Sequence, residues 1–322
     1  MPRLFFLPFY CPERRGRDIM RGMRGVRSKR RLWLLVVALA LAITLAALFG
    51  RAVVSCVWSN AGALTYSRAL VAAGDGAMAP DALAKAESLL VTALRLDGHN
   101  SAAHRLLGFV LWEQGHLDEA AAHWREGGIP LADFTRAASQ ARYAEHLEKA
   151  LDWYSRAIAV APAKSDAYAS AAAILIAMDA EEQAFAYLDK AIALDDFASN
   201  SRRISARYNR GDLLRATGRY SEARAEYEWV LERKPNDYWA YIQLGGLAWE
   251  AEGDGAQAEA MYLRAVEISP NQKWGYRSLG SLYRDLGRTA EALQMYLKVL
   301  EIDPADDWVR KRVDALKAGE SQ

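Results

Sequence analysis

The sequence has 322 residues, of which 52% are hydrophobic and 25% are charged, and its formal net charge is +1. Residues 1–31 contain ten Lys or Arg against only Glu13 and Asp18, so the rest of the chain is mildly acidic. An acidic remainder excludes the basic surface that nucleic-acid binding needs, and no nucleic-acid partner is predicted. The two cysteines lack a CxxC or metal-ligand spacing, so neither a disulfide framework nor a zinc site is expected.

The most hydrophobic segment runs from Leu32 to Gly50 and contains no charged side chain. As a helix it would be about 28 Å long, close to the roughly 30 Å hydrocarbon core of a bilayer. The basic sequence RSKRR precedes it, and residues 52–67 after it are uncharged. The sequence therefore predicts a transmembrane helix over residues 32–58, in which Arg51 snorkels to the interface. The positive-inside rule places its N-terminus in the cytoplasm. Residues 1–31 would then form a disordered cytoplasmic tail, with the rest of the chain outside the cytoplasm.

Other interpretations of this leader stay open. A cleaved signal peptide is one, although its apolar region is usually shorter and ends in small residues. The sequence VVSC, which ends at Cys56, is similar to a bacterial lipidation signal, but Arg51 interrupts the apolar run that such a signal needs. Translation could also start at Met20 or Met23, and no fold is assigned to residues 1–19.

Beyond the leader, the chain repeats itself. The stretches GDLLRATGRYSEARAEYEWVLERKP, beginning at Gly211, and GSLYRDLGRTAEALQMYLKVLEIDP, beginning at Gly280, share Gly, Gly-Arg, Ala, Tyr and Pro at the same places. Pro235, Pro270 and Pro304 are separated by 35 and then 34 residues. Each period predicts two amphipathic helices joined by a short turn. Proline ends the second helix, and Gly or Ala at facing places lets the two helices approach closely.

This pattern resembles the tetratricopeptide repeat, and six units fit it, beginning near residues 101, 131, 165, 204, 238 and 273. A degenerate unit over residues 59–100 precedes them. The resemblance implies an all-α fold, in which residues 101–306 form a right-handed superhelical solenoid of helix-turn-helix repeats. One transmembrane helix precedes the solenoid, and residues 307–322 form a capping helix. Because one helix pair cannot bury its apolar face alone, the pairs are expected to stack.

The family resemblance also implies that the first helix of each unit lines a groove through its second, fifth, ninth, twelfth and thirteenth residues. In the last three units these places hold aromatic side chains and arginines, which are enriched at interaction hot spots. The predicted partner-binding residues are Tyr208, Arg215, Trp239, Trp249, Trp274, Arg277 and Arg284. Trp239, Trp274 and Trp308 recur with the period of the repeat, so packing between units is an open alternative for them.

The sequence contains no nucleophile elbow, phosphate-binding loop or HExxH motif, so no enzymatic activity and no cofactor are predicted. Four histidines between His99 and His123 do not share a metal-ligand spacing on one helix face, so no metal site is predicted. The early units also lack the Lys and Asn pairs with which some family members hold a C-terminal carboxylate.

Two functional hypotheses follow. The first is a membrane-anchored scaffold that binds a protein or peptide partner in the groove, within an extracytoplasmic envelope, secretion or polymer-assembly complex. The second is a carbohydrate-binding accessory protein of a polysaccharide assembly or export system, in which tryptophans would stack on sugar rings. Under both hypotheses the chain is a single-pass protein of the cell membrane, with a cytoplasmic N-terminus and extracytoplasmic repeats.

Overall fold

A computed structural model describes residues 29–74 and 77–318. Within these ranges the chain forms fifteen helices and no β-strand, which confirms the predicted all-α fold there. The helices are α1 (Lys29–Ala73), α2 (Pro80–Leu96), α3 (Ser101–Glu113), α4 (Leu117–Glu126), α5 (Leu131–Tyr143), α6 (Leu147–Val160), α7 (Ser165–Ala177), α8 (Glu181–Leu194), α9 (Asn200–Ala216), α10 (Tyr220–Arg233), α11 (Tyr238–Glu252), α12 (Gly255–Ile268), α13 (Lys273–Asp285), α14 (Thr289–Ile302) and α15 (Asp307–Ala318).

The predicted leader falls largely outside the part of the chain that is described. Of the predicted cytoplasmic tail, residues 1–28 lie outside the described residues. The predicted span over residues 32–58 belongs to α1, but before Gly50 its side chains are described only at Val37 and Thr44. Among the described residues, no helix is long and apolar enough to cross a membrane. The transmembrane segment therefore stays a prediction.

The chain divides into two compact units, Met1–Gln114 and Gly115–Gln322. In the first unit, α1 packs along α2, and α3 packs on both. The Ser55 hydroxyl donates a hydrogen bond to the Ala93 carbonyl at 2.8 Å and accepts one from the Asn100 amide at 2.8 Å. Asn100 also caps α3, since its side-chain oxygen accepts from the Ala103 N–H. The C-terminal half of α1 is thus part of a folded unit and continues without a break from its apolar first half.

The second unit is built from helical hairpins. α5 pairs with α6, α7 with α8, α9 with α10, α11 with α12 and α13 with α14, and each hairpin packs against the next. The Gly of each Gly-Arg pair lies in the turn of its hairpin: Gly218 has a φ of 75° and Gly287 a φ of 74°. A residue in this left-handed region ends a helix, and glycine adopts it without steric cost. The α5–α6 and α7–α8 hairpins have Glu145 and Asp179 at the same place, with φ of 61° and 57°.

The recurring Gly and Tyr positions meet inside the hairpins. A Cβ atom added to Gly245 would lie 2.6 Å from the ring of Tyr262, and one added to Gly280 would lie 2.6 Å from the ring of Tyr296. Because real Cβ atoms do not approach a ring this closely, the tyrosine occupies the space that the missing side chain leaves. The repeated sequence is therefore a packing rule, in which glycine on the first helix receives tyrosine from the second.

The last helix closes the apolar core of the second unit. On α15, Val309 and Val313 are buried in one cluster with Tyr296 and Val299 of α14. Trp308 is partly buried against the same cluster. The predicted capping helix therefore lies where the final hairpin would otherwise expose its apolar face.

Candidate functional site

A cavity of about 380 Å³ opens on the second unit. Its wall comes from the first helices of three successive hairpins, α9, α11 and α13, with one side chain each from α12 and α15. Five of the seven predicted partner-binding residues line it: Arg215, Trp239, Trp249, Trp274 and Arg277. The structure thus brings together residues that lie as far as 62 positions apart in the chain, because successive hairpins present equivalent faces to one side.

Two tryptophans at equivalent places form the centre of the wall. Trp239 follows the N-cap of α11, where Asp237 accepts hydrogen bonds from the N–H groups of Trp239 and Ala240 at 3.1 and 3.2 Å. Trp274 occupies the corresponding place on α13, and the two ring centroids are 6.0 Å apart with an interplanar angle of 83°. This edge-to-face contact is a stabilising geometry for aromatic pairs. Trp274 still keeps 37% of its surface exposed. The tryptophans therefore both pack between repeats and line the cavity.

Arg215 crosses from α9 to α11 and forms one side of the cavity. Its guanidinium donates to Glu250 at 2.7 Å and to Gln243 at 3.0 Å. The hydrogen bond with Glu250 raises the pKa of Arg215. A Cβ atom at Gly246 would lie 2.9 Å from the guanidinium, so glycine leaves the path of Arg215 across α11 open. Because its guanidinium is hydrogen-bonded to Glu250 and Gln243, Arg215 has a structural role in the cavity wall.

Two other guanidiniums cover a third tryptophan. The guanidinium carbon of Arg277 lies 3.9 Å from the ring centroid of Trp308, and that of Arg312 lies 3.3 Å from it. The same guanidinium carbon of Arg277 lies 5.4 Å from the ring centroid of Trp274. Arg277 thus contacts a tryptophan of α13 and a tryptophan of α15. Neither arginine forms an ion pair with a carboxylate of residues 29–74 or 77–318.

Two predicted partner-binding residues do not line this cavity. The Tyr208 hydroxyl donates to Asp237 at 2.7 Å, and burial together with this hydrogen bond raises the pKa of Tyr208. Arg284 donates to the carboxylate of its neighbour Asp285 at 2.9 and 2.7 Å. Their part in partner binding stays a prediction, while their contacts in this structure are internal.

The sequence interpretation missed several residues that line the cavity. Gln243 and Gly246 follow Trp239 by four and seven positions, and Ser278 and Ser281 follow Trp274 by the same intervals. Positions separated by four and seven residues share one face of a helix. Extending the pattern from each tryptophan along its own helix would therefore have found them.

A second cavity is larger but contains none of the predicted residues. It measures about 640 Å³ and lies beside the turn between α7 and α8, where Asp179, Glu181 and Glu182 contribute to its lining with Phe185 and Arg219. Within the part of the chain that the structure describes, no group of three or more His, Cys, Asp or Glu side chains could hold a metal ion.

Comparison with known families agrees with the architecture. Residues 101–126, 204–247 and 237–305 match three family models, each of which describes the tetratricopeptide repeat. These stretches of the chain are tetratricopeptide repeats. No curated protein sequence matches the chain.

Several solved structures are similar to this chain in fold. PilW, a widely conserved type IV pilus biogenesis factor, is 16% identical over 66% of this chain and 98% of its own, with a TM-score of 0.51. A tetratricopeptide repeat protein from Parabacteroides merdae is 20% identical over 81% and 98%, with a TM-score of 0.46. YrrB, described as having an unusual peptide-binding site, is 21% identical over 56% and 90%, with a TM-score of 0.44. At these identities the likeness concerns the fold alone.

Proposed function

We propose that this protein is a membrane-anchored scaffold that holds a protein or peptide partner in the cavity between α9, α11, α13 and α15. The repeats lie outside the cytoplasm, within an envelope, secretion or polymer-assembly complex. The proposal contains no catalytic step and needs no cofactor. Tetratricopeptide repeats bind proteins or peptides, which makes this the first function to consider for such a surface.

One observation carries the proposal: five aromatic or arginine side chains from three successive repeats converge on one open cavity. Tryptophan, tyrosine and arginine are enriched among the few residues that carry most of the binding energy at protein interfaces. Trp274 remains more than one-third exposed, and its edge-to-face contact with Trp239 holds it in place. A rigid, partly exposed tryptophan loses little conformational freedom when a partner covers it.

The polysaccharide hypothesis shares the tryptophans but fits Trp308 less well. Stacking on a sugar needs an open ring face, whereas the guanidiniums of Arg277 and Arg312 already lie against the ring of Trp308. Trp249 and Trp274 remain available to either ligand. Polysaccharide binding is therefore kept as the alternative that the experiment below must separate.

The anchor is proposed from the leader sequence and from the continuity of α1. The segment from Leu32 to Gly50 has no charge and follows a basic stretch, and α1 runs unbroken from Lys29 to Ala73. Ser55 is buried and bonded to Ala93, so cleavage next to Cys56 would remove a core residue from the first unit. An uncleaved anchor preserves this contact, and we favour it over signal-peptide cleavage or lipidation at Cys56.

The experiment compares what co-purifies with three forms of the full-length protein from detergent-solubilised membranes. The double variant Trp249→Ala/Trp274→Ala removes two walls of the cavity. Trp229→Ala is the matched control, because Trp229 lies on α10, covered by Arg207 and Arg233, and does not line the cavity. A stoichiometric protein recovered with the wild type and with the control, but lost from the double variant, supports the proposal.

Two results would argue against it. A protein partner that the double variant retains at wild-type stoichiometry would place binding elsewhere on the chain. Quenching of tryptophan fluorescence by envelope polysaccharide, absent in the double variant and with no protein recovered, would favour the carbohydrate hypothesis. Circular dichroism of all three forms shows whether the substitutions leave the helical fold intact.

A further inference from the structure

We infer that two copies of this chain associate through α1, which packs in parallel against α1 of the second copy. The contact surface is the α1 stripe, a row of exposed residues along one side of the helix: Val53, Val57, Asn60, Leu64, Ser67 and Val71. The inference goes beyond the proposed function, and the parallel arrangement rests on the membrane anchor proposed there.

The first step of the argument is that α1 buries its small residues and exposes its large ones. Among the described side chains of α1, the buried ones are all small: Ser55, Ser59, Gly62, Ala63 and Ala69. A Cβ atom added to Gly62 would lie 2.7 Å from the Leu90 side chain, so α2 already occupies this face. On the opposite face, four apolar residues each keep more than half of their surface exposed: Val53, Val57, Leu64 and Val71. Monomeric soluble proteins rarely expose such a continuous apolar surface, which indicates that something covers the α1 stripe.

The second step is that the α1 stripe has the spacing of an interface between two helices. Its positions 53, 57, 60, 64, 67 and 71 alternate steps of four and three residues, which keeps them in line along a helix that packs on another. Asn60 is an exposed polar residue within this row. A single asparagine among apolar contacts fixes the register of two helices, since its amide needs a polar partner. Two parallel copies in register would place Asn60 opposite Asn60.

The third step is that a bilayer would not reach most of the α1 stripe. In the anchored protein proposed above, Arg51 lies at the membrane interface. α1 continues without a break to Ala73, and at 1.5 Å per residue Leu64 and Val71 lie about 20 and 30 Å beyond Arg51 along its axis. These apolar side chains would therefore stand outside the hydrocarbon and need a protein surface to cover them.

The fourth step is that a second copy provides a matching surface. Anchored copies share one orientation in the membrane, so their α1 helices emerge in parallel, and a symmetric pair brings the same residues together. Residues 52–67 are uncharged, so no like charges meet along this part of the pair. In the sequence, the same spacing continues upstream to Gly50 and Ala46, and small residues allow membrane helices to approach closely.

The test places one cysteine in the full-length protein, with Cys11 and Cys56 replaced by serine, and treats the membranes with a mild oxidant. Most of the Leu64→Cys protein should become a disulfide-linked dimer, because a disulfide needs Cα atoms within about 7 Å of each other. Leu70→Cys is the matched control: Leu70 is 41% exposed on the same helix but lies about one-third of a turn away from the α1 stripe. It should remain a single chain.

Two further measurements test the direction and the strength of the pairing. Val57→Cys and Val71→Cys should both form dimers, since a parallel pair brings equal positions together along its whole length. Without added cysteines, Leu64→Arg should change the mass in detergent from two chains to one, whereas Leu70→Arg should stay dimeric like the wild type. Both leucines are exposed, and circular dichroism checks that each variant keeps its helical fold.

Other outcomes would overturn the inference. Equal cross-linking of Leu64→Cys and Leu70→Cys would reject the dimer, and cross-linking of Leu64→Cys without Val57→Cys and Val71→Cys would reject the parallel direction. A stoichiometric disulfide adduct with another polypeptide would assign the α1 stripe to a different protein. Protection of Leu64→Cys from a water-soluble maleimide in a protein that stays one chain would assign it to the bilayer.

Failure of this inference can be told apart from failure of the proposed function. Loss of cross-linking leaves the protein partner of the cavity on the second unit unaffected, and that partner is tested by Trp249→Ala/Trp274→Ala. Release of a cross-linked dimer from the membrane by high salt would instead reject the anchor and keep the pairing through α1.

Discussion

At the scale of single residues, small side chains and caps position the large ones that line the cavity. Asp237 is 5% exposed and serves as N-cap of α11, where it also accepts hydrogen bonds from Tyr208 and Lys234. Gly246 leaves the space in which Arg215 reaches Glu250. Neither residue is among the predicted site residues, all of which are aromatic or arginine. Their effect is to fix where the neighbouring tryptophan and arginine point.

Adjacent glycines of α11 provide a first prediction. Gly245→Ala would meet the buried ring of Tyr262, whereas Gly246→Ala would meet only the flexible end of Arg215. Both changes gain the same helix propensity, so that gain cancels in the comparison. Overpacking against a ring costs more than displacing a partly exposed ion pair. We expect the free energy of unfolding of Gly245→Ala to be about 1–2 kcal/mol lower than that of Gly246→Ala. Urea unfolding followed by circular dichroism measures this difference.

Asp237 provides a second prediction, on pH dependence. Burial would raise the pKa of this carboxyl, but hydrogen bonds from Lys234, Tyr208 and the Ala240 N–H outweigh burial and lower it. A lowered pKa stabilises the fold above the unfolded value of about 4, and this stabilisation is lost as pH falls through the folded value. Asparagine also caps helices but does not titrate.

The Asp237→Asn variant should therefore lose less stability than the wild type when the pH is lowered from 5 to 2. Thermal unfolding at several pH values measures this difference. Other carboxylates with lowered pKa values, such as Glu259, titrate in both proteins and cancel in the comparison. Parallel pH profiles for the two proteins would contradict the assignment to Asp237.

At the scale of helices, the sequence predicts the repeat elements well because their signals are local. α12 ends at Ile268, two residues before Pro270, and α14 ends at Ile302, two residues before Pro304. Proline disfavours helical geometry in the residue that precedes it, so a recurring proline marks a recurring helix end. The capping helix α15 follows from the same logic, since the last hairpin needs an apolar cover.

Substitutions on α15 test whether this helix covers the apolar core of the last hairpin. Val309 is fully buried, and Val309→Asp would place an unpaired charge in the cluster with Tyr296. We expect the free energy of unfolding of the second unit to fall by about 3–5 kcal/mol. Lys311→Asp, on the exposed side of the same helix, is the control and should be nearly neutral. Equal stability of the two variants in urea unfolding would show that α15 does not cover the core.

At the scale of the whole molecule, charge and hydrophobicity are distributed unevenly along the chain. Ten basic residues precede the apolar segment, and the remainder is acidic, a distribution typical of a protein with its N-terminus in the cytoplasm. The continuity of α1 would join the anchor to the first repeat unit without a flexible linker.

Topology follows as the prediction at this scale. Protease added to intact spheroplasts should digest the repeats and leave a short membrane-protected fragment containing residues 1–58. Antibodies against the N-terminus detect the protected fragment, and antibodies against the C-terminus detect the loss of the repeats. Repeats that are digested only after the membrane is permeabilised would reverse the proposed orientation. A repeat domain released by washing with high salt would rule out the anchor.

The amino-acid sequence alone determined the helical class, the repeat period and the ends of the repeated helices. Glycine, proline and the spacing of apolar residues act on neighbouring residues within one or two turns, so their effect can be predicted without coordinates. Tertiary structure alone decided which predicted residues meet. Arg215 and Glu250 are 35 positions apart in the chain, and so are Arg277 and Arg312. The first pair is an arginine hydrogen-bonded to a carboxylate, whereas the second pair consists of two arginines. The repeat period sets the number of residues between equivalent positions. The direction in which each side chain points between two helices depends on all the side chains that pack around it, and these come from distant parts of the sequence.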